Sequence, residues 1–409
     1  MIDSPLEMIA RQYNNVVQYD AQGNPSIFAK FPKVKSSDLD PSLPDHTHPA
    51  FVIGGQEEDT ILIGKYKNAE LSEDGTLLSL PSLPPRLSLT YDDHLERMRA
   101  AGNGASGLTI ADHGLMVLLA HKQKWTQHGN NGFGSYDGIG ARSEWGRWDS
   151  DFTAGKYTKY RGWEYQCLVD HTTTDEKRPD ISPGYWKRHR QLGGTLYRSD
   201  VHGTTDSSKF ITLNGSGPLD WHLCGDITGP CDVIGNCTEM VYGLRLVNCE
   251  IQILGDNNDA ADADADMSPY GAWKAILPSN TGNDYTLVEP GTSGTVHYAQ
   301  DQSGGVMLDT VEPEFSDNGM AYSPFKDIKV NTSRMPYVPS ILYELGLAPI
   351  PGTTVDGYVE FDLTREEQLP RRSGYAVHST AGIAWLDFHE SRTSIRDYCG
   401  SRARSRMNP

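Results

Sequence analysis

The chain lacks any apolar run approaching the length of about twenty residues that a membrane-crossing helix needs, so no span is expected. Basic charge is scarce, with 36 Lys and Arg against 54 Asp and Glu and a formal net charge of −18. That balance argues against nucleic acid as a partner, because no large basic surface is available to displace counterions from phosphates. Residues 1–20 lack a basic region followed by an apolar core, so they do not read as a signal peptide. Cysteine is sparse. Cys167, Cys224, Cys231, Cys237, Cys249 and Cys399 include no CxxC pair. Without a secretion signal, reduced thiols are expected rather than disulfides. A zinc site at Cys224, Cys231 and Cys237 would lack the paired spacing such sites use. No repeat of fixed period and no low-complexity block is present.

Turn-formers and aromatic residues are plentiful. The 41 Gly and 24 Pro are spread along the chain, which implies many turns and short elements rather than disorder. Eight Trp and 20 Tyr point the same way. A length of 409 residues fits either two or three average domains or one large loop-rich domain with insertions.

Local patterns place the elements. Val16-Val17-Gln18-Tyr19, a turn from Asp20 to Pro25, and Ser26-Ile27-Phe28 read as a hairpin within an N-terminal arm at 1–48. Ala50–Ile53 and Thr60–Tyr66 read as two strands around a turn at Gly54-Gly55. Thr90 with Asp93, and Thr109 with Asp112, have capping-box spacing and predict two consecutive helices. Gly102 ends the first, and Leu115, Met116, Leu118 and Leu119 form an apolar stripe on the second. Pro339–Gly346 reads as a short helix. Most of the rest is short strands and loops. The acidic run from Asp256 to Asp266 is dense enough in carboxylates to hold calcium, but it has no sharp-turn Gly and no closing Glu, so a solvated loop is expected.

The last forty residues are the most distinctive. Small residues and arginines recur as a frame: Arg372, Gly374, Ala381, Gly382, Ile383, Ser391, Arg392, Gly400 and Arg402. Between them stand Tyr375, His378, Ser379, Trp385, Asp387, His389, Ser394, Arg396 and Tyr398. Rigid aromatics, adaptable polar groups and arginine are the composition of a recognition surface. The framing arginines are expected to be structural, each satisfying several loop carbonyls at once.

Several motifs, in order, resemble one family. They are Leu108-Thr109-Ile110-Ala111-Asp112, His128-Gly129-Asn130-Asn131-Gly132-Phe133-Gly134, Gly215–Pro218, Gly235-Asn236-Cys237-Thr238-Glu239-Met240-Val241 with Gly243-Leu244-Arg245-Leu246, and the C-terminal frame. The set is similar to C-type lectin fold proteins of the formylglycine-generating-enzyme branch, above all the variable proteins of diversity-generating retroelements and phage tail tip adhesins. The resemblance runs from about Ala50 to Arg402. It departs at Cys237-Thr238, Met240 and His113, where tryptophan or its neighbours are usual, so a core aromatic must come from elsewhere.

The resemblance implies an α+β, C-type lectin fold with two helices, short antiparallel strands and long loops. A lectin-like domain at 49–409 would carry insertions near 143–202 and 256–331. It implies a non-catalytic bacteriophage tail receptor-binding protein, bound to a host cell-surface protein or glycan through Tyr375, His378, Ser379, Trp385, Asp387, His389, Ser394, Arg396 and Tyr398. It also implies contacts with other tail proteins, homotrimer formation and a place in the virion tail, with the bacterial surface or cytoplasm as alternatives. A structural tail fibre component without a receptor role is a second reading, and a formylglycine-generating-type enzyme a third. The enzyme would need a reactive cysteine pair, and only Cys399 lies in the relevant part of the chain; His94, His113 and His121 do not reproduce the helical histidine motif of the related iron enzymes. No cofactor is expected, and the Glu-Pro-Asn triplet of calcium-dependent lectins is missing.

Overall fold

The computed structural model describes residues 4–71, 75–132, 134–136, 151–160, 162–197, 210–255, 258–314 and 319–407. Phe133, the two ends of the expected 143–202 insertion, and Asp256 and Asn257 lie outside them. The chain is α+β, with a few helices among many short and mostly antiparallel strands. Among the described residues no helix is long and apolar enough to cross a membrane.

Both capping boxes form. Thr90 Oγ1 accepts from the Asp93 amide at 3.1 Å and the Asp93 carboxylate accepts from the Thr90 amide at 3.4 Å, which opens the helix Tyr91–Arg99. Thr109 and Asp112 repeat the arrangement, both bonds at 3.1 Å, and open Ile110–Gln123. Ten of the 14 residues of this second helix are buried, so it is an axis of the core and not a surface helix with one apolar stripe. Gly114 is required on that axis. A methyl group there would sit 2.0 Å from the carbonyl oxygen of Glu344, at the end of the short helix Ser340–Glu344 that crosses it.

The hairpin forms with Val16 opposite Phe28 and Val17 opposite Ile27. It does not stand apart as an arm. Pro25–Pro32 also pairs with Thr60–Gly64, and the C-terminal strand Ala403–Arg406 lies on the far side of that strand, followed by Ser106–Gly107. The two ends of the chain are thus woven into one five-stranded antiparallel sheet. The expected turn at Gly54-Gly55 exists, but it joins Val52–Ile53 to Gln56–Glu57, and Thr60–Gly64 pairs elsewhere.

The second sheet is larger. Its central run is Tyr358–Asp362, Leu386–Glu390, Glu367–Arg372, Leu244–Val247 and Glu250–Leu254. Thr238–Met240 joins it from the side, antiparallel to Glu367–Arg372 and parallel to Cys399–Gly400. Of the two expected insertions, residues 151–197 form a small three-stranded sheet around Tyr165, Cys167 and Trp186, with a cluster of their own. The other is not an appendage. Its strands Trp273–Pro278, His297–Gln300 and Val306–Asp309 extend the large sheet. Asp259 accepts from the Gly54 amide at 3.0 Å, and Asp262 and Asp266 cap turns, so the described part of the acidic run serves loop structure.

Beside Met240 the core is packed with tyrosines. Tyr242 packs on Tyr91 at 4.5 Å between centroids, in the same apolar cluster as Met240. Beside them His94 is fully buried, with its Nδ1 3.0 Å from Ser401 Oγ. Burial pushes its pKa down to about 4, and Arg86 and Arg97 act in the same direction. A histidine with a depressed folded pKa is protonated first in the unfolded chain. Stability contributed by neutral His94 is therefore complete above about pH 6.5 and is lost as pH falls towards 4. Urea unfolding at pH 7 and pH 4.5 should show the loss, and His94→Gln should shrink the difference by about 2 kcal/mol.

Candidate functional site

The C-terminal segment rests on a buried charge cluster. Glu239, on Thr238–Met240, accepts from Lys67 Nζ at 2.6 Å, Arg372 Nη1 at 2.6 Å and Arg402 Nη2 at 2.7 Å. All four side chains are fully buried. Burial alone would raise the Glu239 pKa, but Arg402, Lys67 and Arg372 overcome it and hold the carboxylate far below its ordinary range. The arginines also satisfy carbonyls, as their sequence context implied. Arg402 reaches Gly64 and Cys231, both at 2.8 Å, and Arg372 reaches Val233 at 3.0 Å. Arg372 Nε donates to His113 Nδ1 at 3.2 Å, and burial with Arg372 beside it keeps that imidazole neutral. His113 is thus a core acceptor.

A second tie is built from the two Gly-Asn motifs. Asn130 Nδ2 donates to Asn236 Oδ1 at 2.9 Å, and the Asn236 amide donates to the Asn130 carbonyl at 2.7 Å. Gly235 has φ +66°, and a Cβ there would lie 2.0 Å from the Asn130 carbonyl oxygen, so only glycine fits. From this knot the Gly235 amide donates to Ser373 at 2.8 Å and the Ala376 amide to Asn236 at 3.0 Å. The far side of the same loop is held where Ile383 donates to Gln127 Oε1 at 2.8 Å. The loop between Arg372 and Leu386 is therefore pinned at several points, as a rigid platform for side chains requires.

On this support lies an aromatic strip. Tyr375 stacks on Tyr398 at 4.4 Å with an 18° interplanar angle, His378 packs on Tyr375 at 4.2 Å, and Trp385 meets His378 edge-on at 5.5 Å. Tyr375 and Tyr398 come from different loops, so the stack joins them. The Arg371 guanidinium lies 5.5 Å from the Tyr398 ring centre. Beside the strip runs a row of charges. Arg396 donates to Glu390 at 2.7 Å, Arg371 contacts Glu390 and Asp387, and Asp387 Oδ1 is 2.9 Å from His389 Nδ1. Glu360, opposite Asp387 on the neighbouring parallel strand, closes the row.

Of the nine residues singled out from the sequence, Tyr375, His378, Ser379, His389, Ser394, Arg396 and Tyr398 are exposed or half-buried. Trp385 and Asp387 are not on the face. They are 1% and 4% exposed: Trp385 lies against His378, and Asp387 lies between Arg371 and His389. Trp385 backs the strip from beneath, and Asp387 holds Arg371 in place. Ser394 serves its own turn, bonded to the Ser391 amide at 3.2 Å. Ser379 and Thr380 stand on the rim of a polar cavity of about 240 Å³ that Tyr136, Lys326, Asp356 and Tyr358 also line.

Several of the residues that matter here carry no local sequence signal. Lys67 is 172 positions from Glu239. Arg371 hides beside the more conspicuous Arg372, and Glu360 and Glu390 read as ordinary strand carboxylates. Glu239 could have been found, since it lies inside the quoted signature. No protein-family model and no curated protein matches the chain. All six cysteines are free.

Proposed function

We propose that the chain is a non-catalytic recognition protein that binds a host cell-surface molecule through the strip Tyr375–His378–Tyr398 and its flanking polar groups. Its assignment to the C-type lectin fold, and to the phage tail adhesins of the retroelement variable type, rests on the ordered motifs and on the α+β architecture. One observation carries the reading. The frame positions Arg372, Gly374 and Arg402 are buried, with both arginines bonded into the core, whereas Tyr375, His378, Ser379, Arg396 and Tyr398, placed between them, reach solvent on pinned loops. A face built so can change residues without loss of the fold. Aromatic rings give contact area at low entropy cost, and Arg396 and His389 add charge-assisted hydrogen bonds.

The thiol chemistry favours recognition over catalysis. Cys399 is buried and its thiol is pushed up in pKa, and burial pushes Cys237 up to about 12, both away from the thiolate that copper binding or nucleophilic attack needs. An assembly role fits the other end of the molecule. The helix Pro5–Gln12 exposes Met8 and Ile9 beside the edge strand Asn15–Tyr19, a surface suited to a homotrimer or to other tail proteins.

A saturation library over residues 372–402 tests the division. Display with a conformation-sensitive antibody should recover most substitutions at Tyr375, His378, Ser379, Ser394 and Arg396 and almost none at Gly374, Gly382 or Arg402. Equal tolerance at both sets would remove the reason for the proposal. The class itself predicts a reverse transcriptase gene nearby and a near-copy of the last hundred or so coding bases.

A further inference from the structure

Asp387 and His389 are two apart on one strand, so their side chains leave the same face, and Glu360 is the direct neighbour of Asp387 on the parallel strand Tyr358–Asp362. Register alone thus converges two carboxylates and an imidazole. Their ligand atoms all lie within 4.8 Å of one another, and among the described residues no other group of three such side chains comes together. His389 Nδ1 is 2.9 Å from Asp387 Oδ1 and 4.0 Å from Glu360 Oε2. Ligands held at about 2.1 Å from one ion lie about 3.0–3.4 Å apart, so Glu360, 4.0 Å from His389 Nδ1, has to move inward to complete the geometry.

We propose that Glu360, Asp387 and His389 bind a divalent transition-metal cation of the Mn²⁺, Fe²⁺ or Zn²⁺ class on the face beside the aromatic strip. Two carboxylates brought this close repel each other and call for a cation between them. Among the described residues no hydrogen bond reaches the Glu360 carboxylate, and its one ion-pair neighbour is His389. Burial and the neighbouring Asp387 push Glu360 up to about 7, a sign of the same repulsion. Asp387 stays ionised because Arg371 overrides its burial. Arg371 sits on Oδ2 of Asp387, while Oδ1 accepts from the His389 amide at 2.7 Å and faces His389 Nδ1 at 2.9 Å, so Oδ1 is the oxygen turned towards the cluster. The imidazole selects against Ca²⁺ and Mg²⁺, which prefer all-oxygen shells, and in favour of first-row transition ions. Glu360 and His389 are 23% and 34% exposed, which gives the ion a route from solvent and leaves coordination positions open.

The inference does not depend on the proposed receptor role, and it can be tested without a ligand. Full-length protein freed of metal is titrated calorimetrically with MnCl₂, ZnCl₂ and CaCl₂. One equivalent of Mn²⁺ or Zn²⁺ should bind with a micromolar Kd, and Ca²⁺ at least tenfold more weakly. Glu360→Gln and His389→Ala, neither of which removes the Arg371–Asp387 pair, should each weaken binding tenfold or more with the circular dichroism spectrum unchanged. Co²⁺ bound to the native chain should give a visible absorption band that His389→Ala abolishes. Absence of saturable binding below millimolar metal, or binding that survives either substitution, overturns the proposal.

Discussion

Glu239→Gln should cost about 3–5 kcal/mol of folding stability, enough to leave the chain close to unfolded. The substitution keeps the volume of the side chain, so no cavity contributes. What changes is charge. Lys67, Arg372 and Arg402 are fully buried around this one carboxylate. Without it three cations share a dry interior, and their desolvation is no longer offset. The carbonyl bonds of Arg402 and Arg372 remain but are neutral partners. Urea unfolding at pH 7 measures the loss, and a midpoint shift worth less than about 1 kcal/mol would mean that the cluster is not what holds the C-terminal frame.

Asp112→Asn should cost about 3 kcal/mol, and Asp112→Ala about 1 kcal/mol more. Asp112 does two things at once. Its carboxylate caps the central helix through the Thr109 amide, and it pairs with Arg404 Nε at 3.0 Å, both side chains fully buried. Asparagine keeps an acceptor for the cap and removes the charge; alanine removes both. Adding Arg404→Met to Asp112→Asn should recover much of the loss, since an apolar side chain leaves no buried charge unpaired. Failure of that double variant to recover would mean that the unpaired charge of Arg404 is not the source of the loss.

Local chemistry made much of the fold legible. Capping residues located two helices because an N-terminal amide needs a nearby acceptor, and the hairpin followed from alternation on either side of a turn. Long-range pairing was not legible. Nothing near Thr60–Gly64 shows that Ala403–Arg406 will lie beside it, and the hairpin therefore looked like a free arm. The division of the C-terminal segment into buried arginines and exposed polar groups could be read for most positions. It failed at Trp385 and Asp387 because the face they share with His389 is covered over most of its length and opens to solvent only at His389. The ion cluster around Glu239 was invisible for a simpler reason. Arg372 and Arg402 could be read as structural, but their convergence with the distant Lys67 on Glu239 exists only once the fold brings the four together.

The most direct test of the account uses Tyr375→Ala combined with Tyr398→Ala, since these two rings join the loops of the strip and neither is part of the buried frame. On the proposed receptor role, labelled native and variant chains are mixed with intact bacterial cells that bind the native chain, and bound protein is measured alongside each chain's urea midpoint. The account predicts that the midpoint falls by about the worth of the lost stack, about 0.5–1.5 kcal/mol, and that binding falls about thirtyfold or more, the size expected when a central aromatic pair is removed from an interface. A folded double variant that binds host cells as well as the native chain would contradict it.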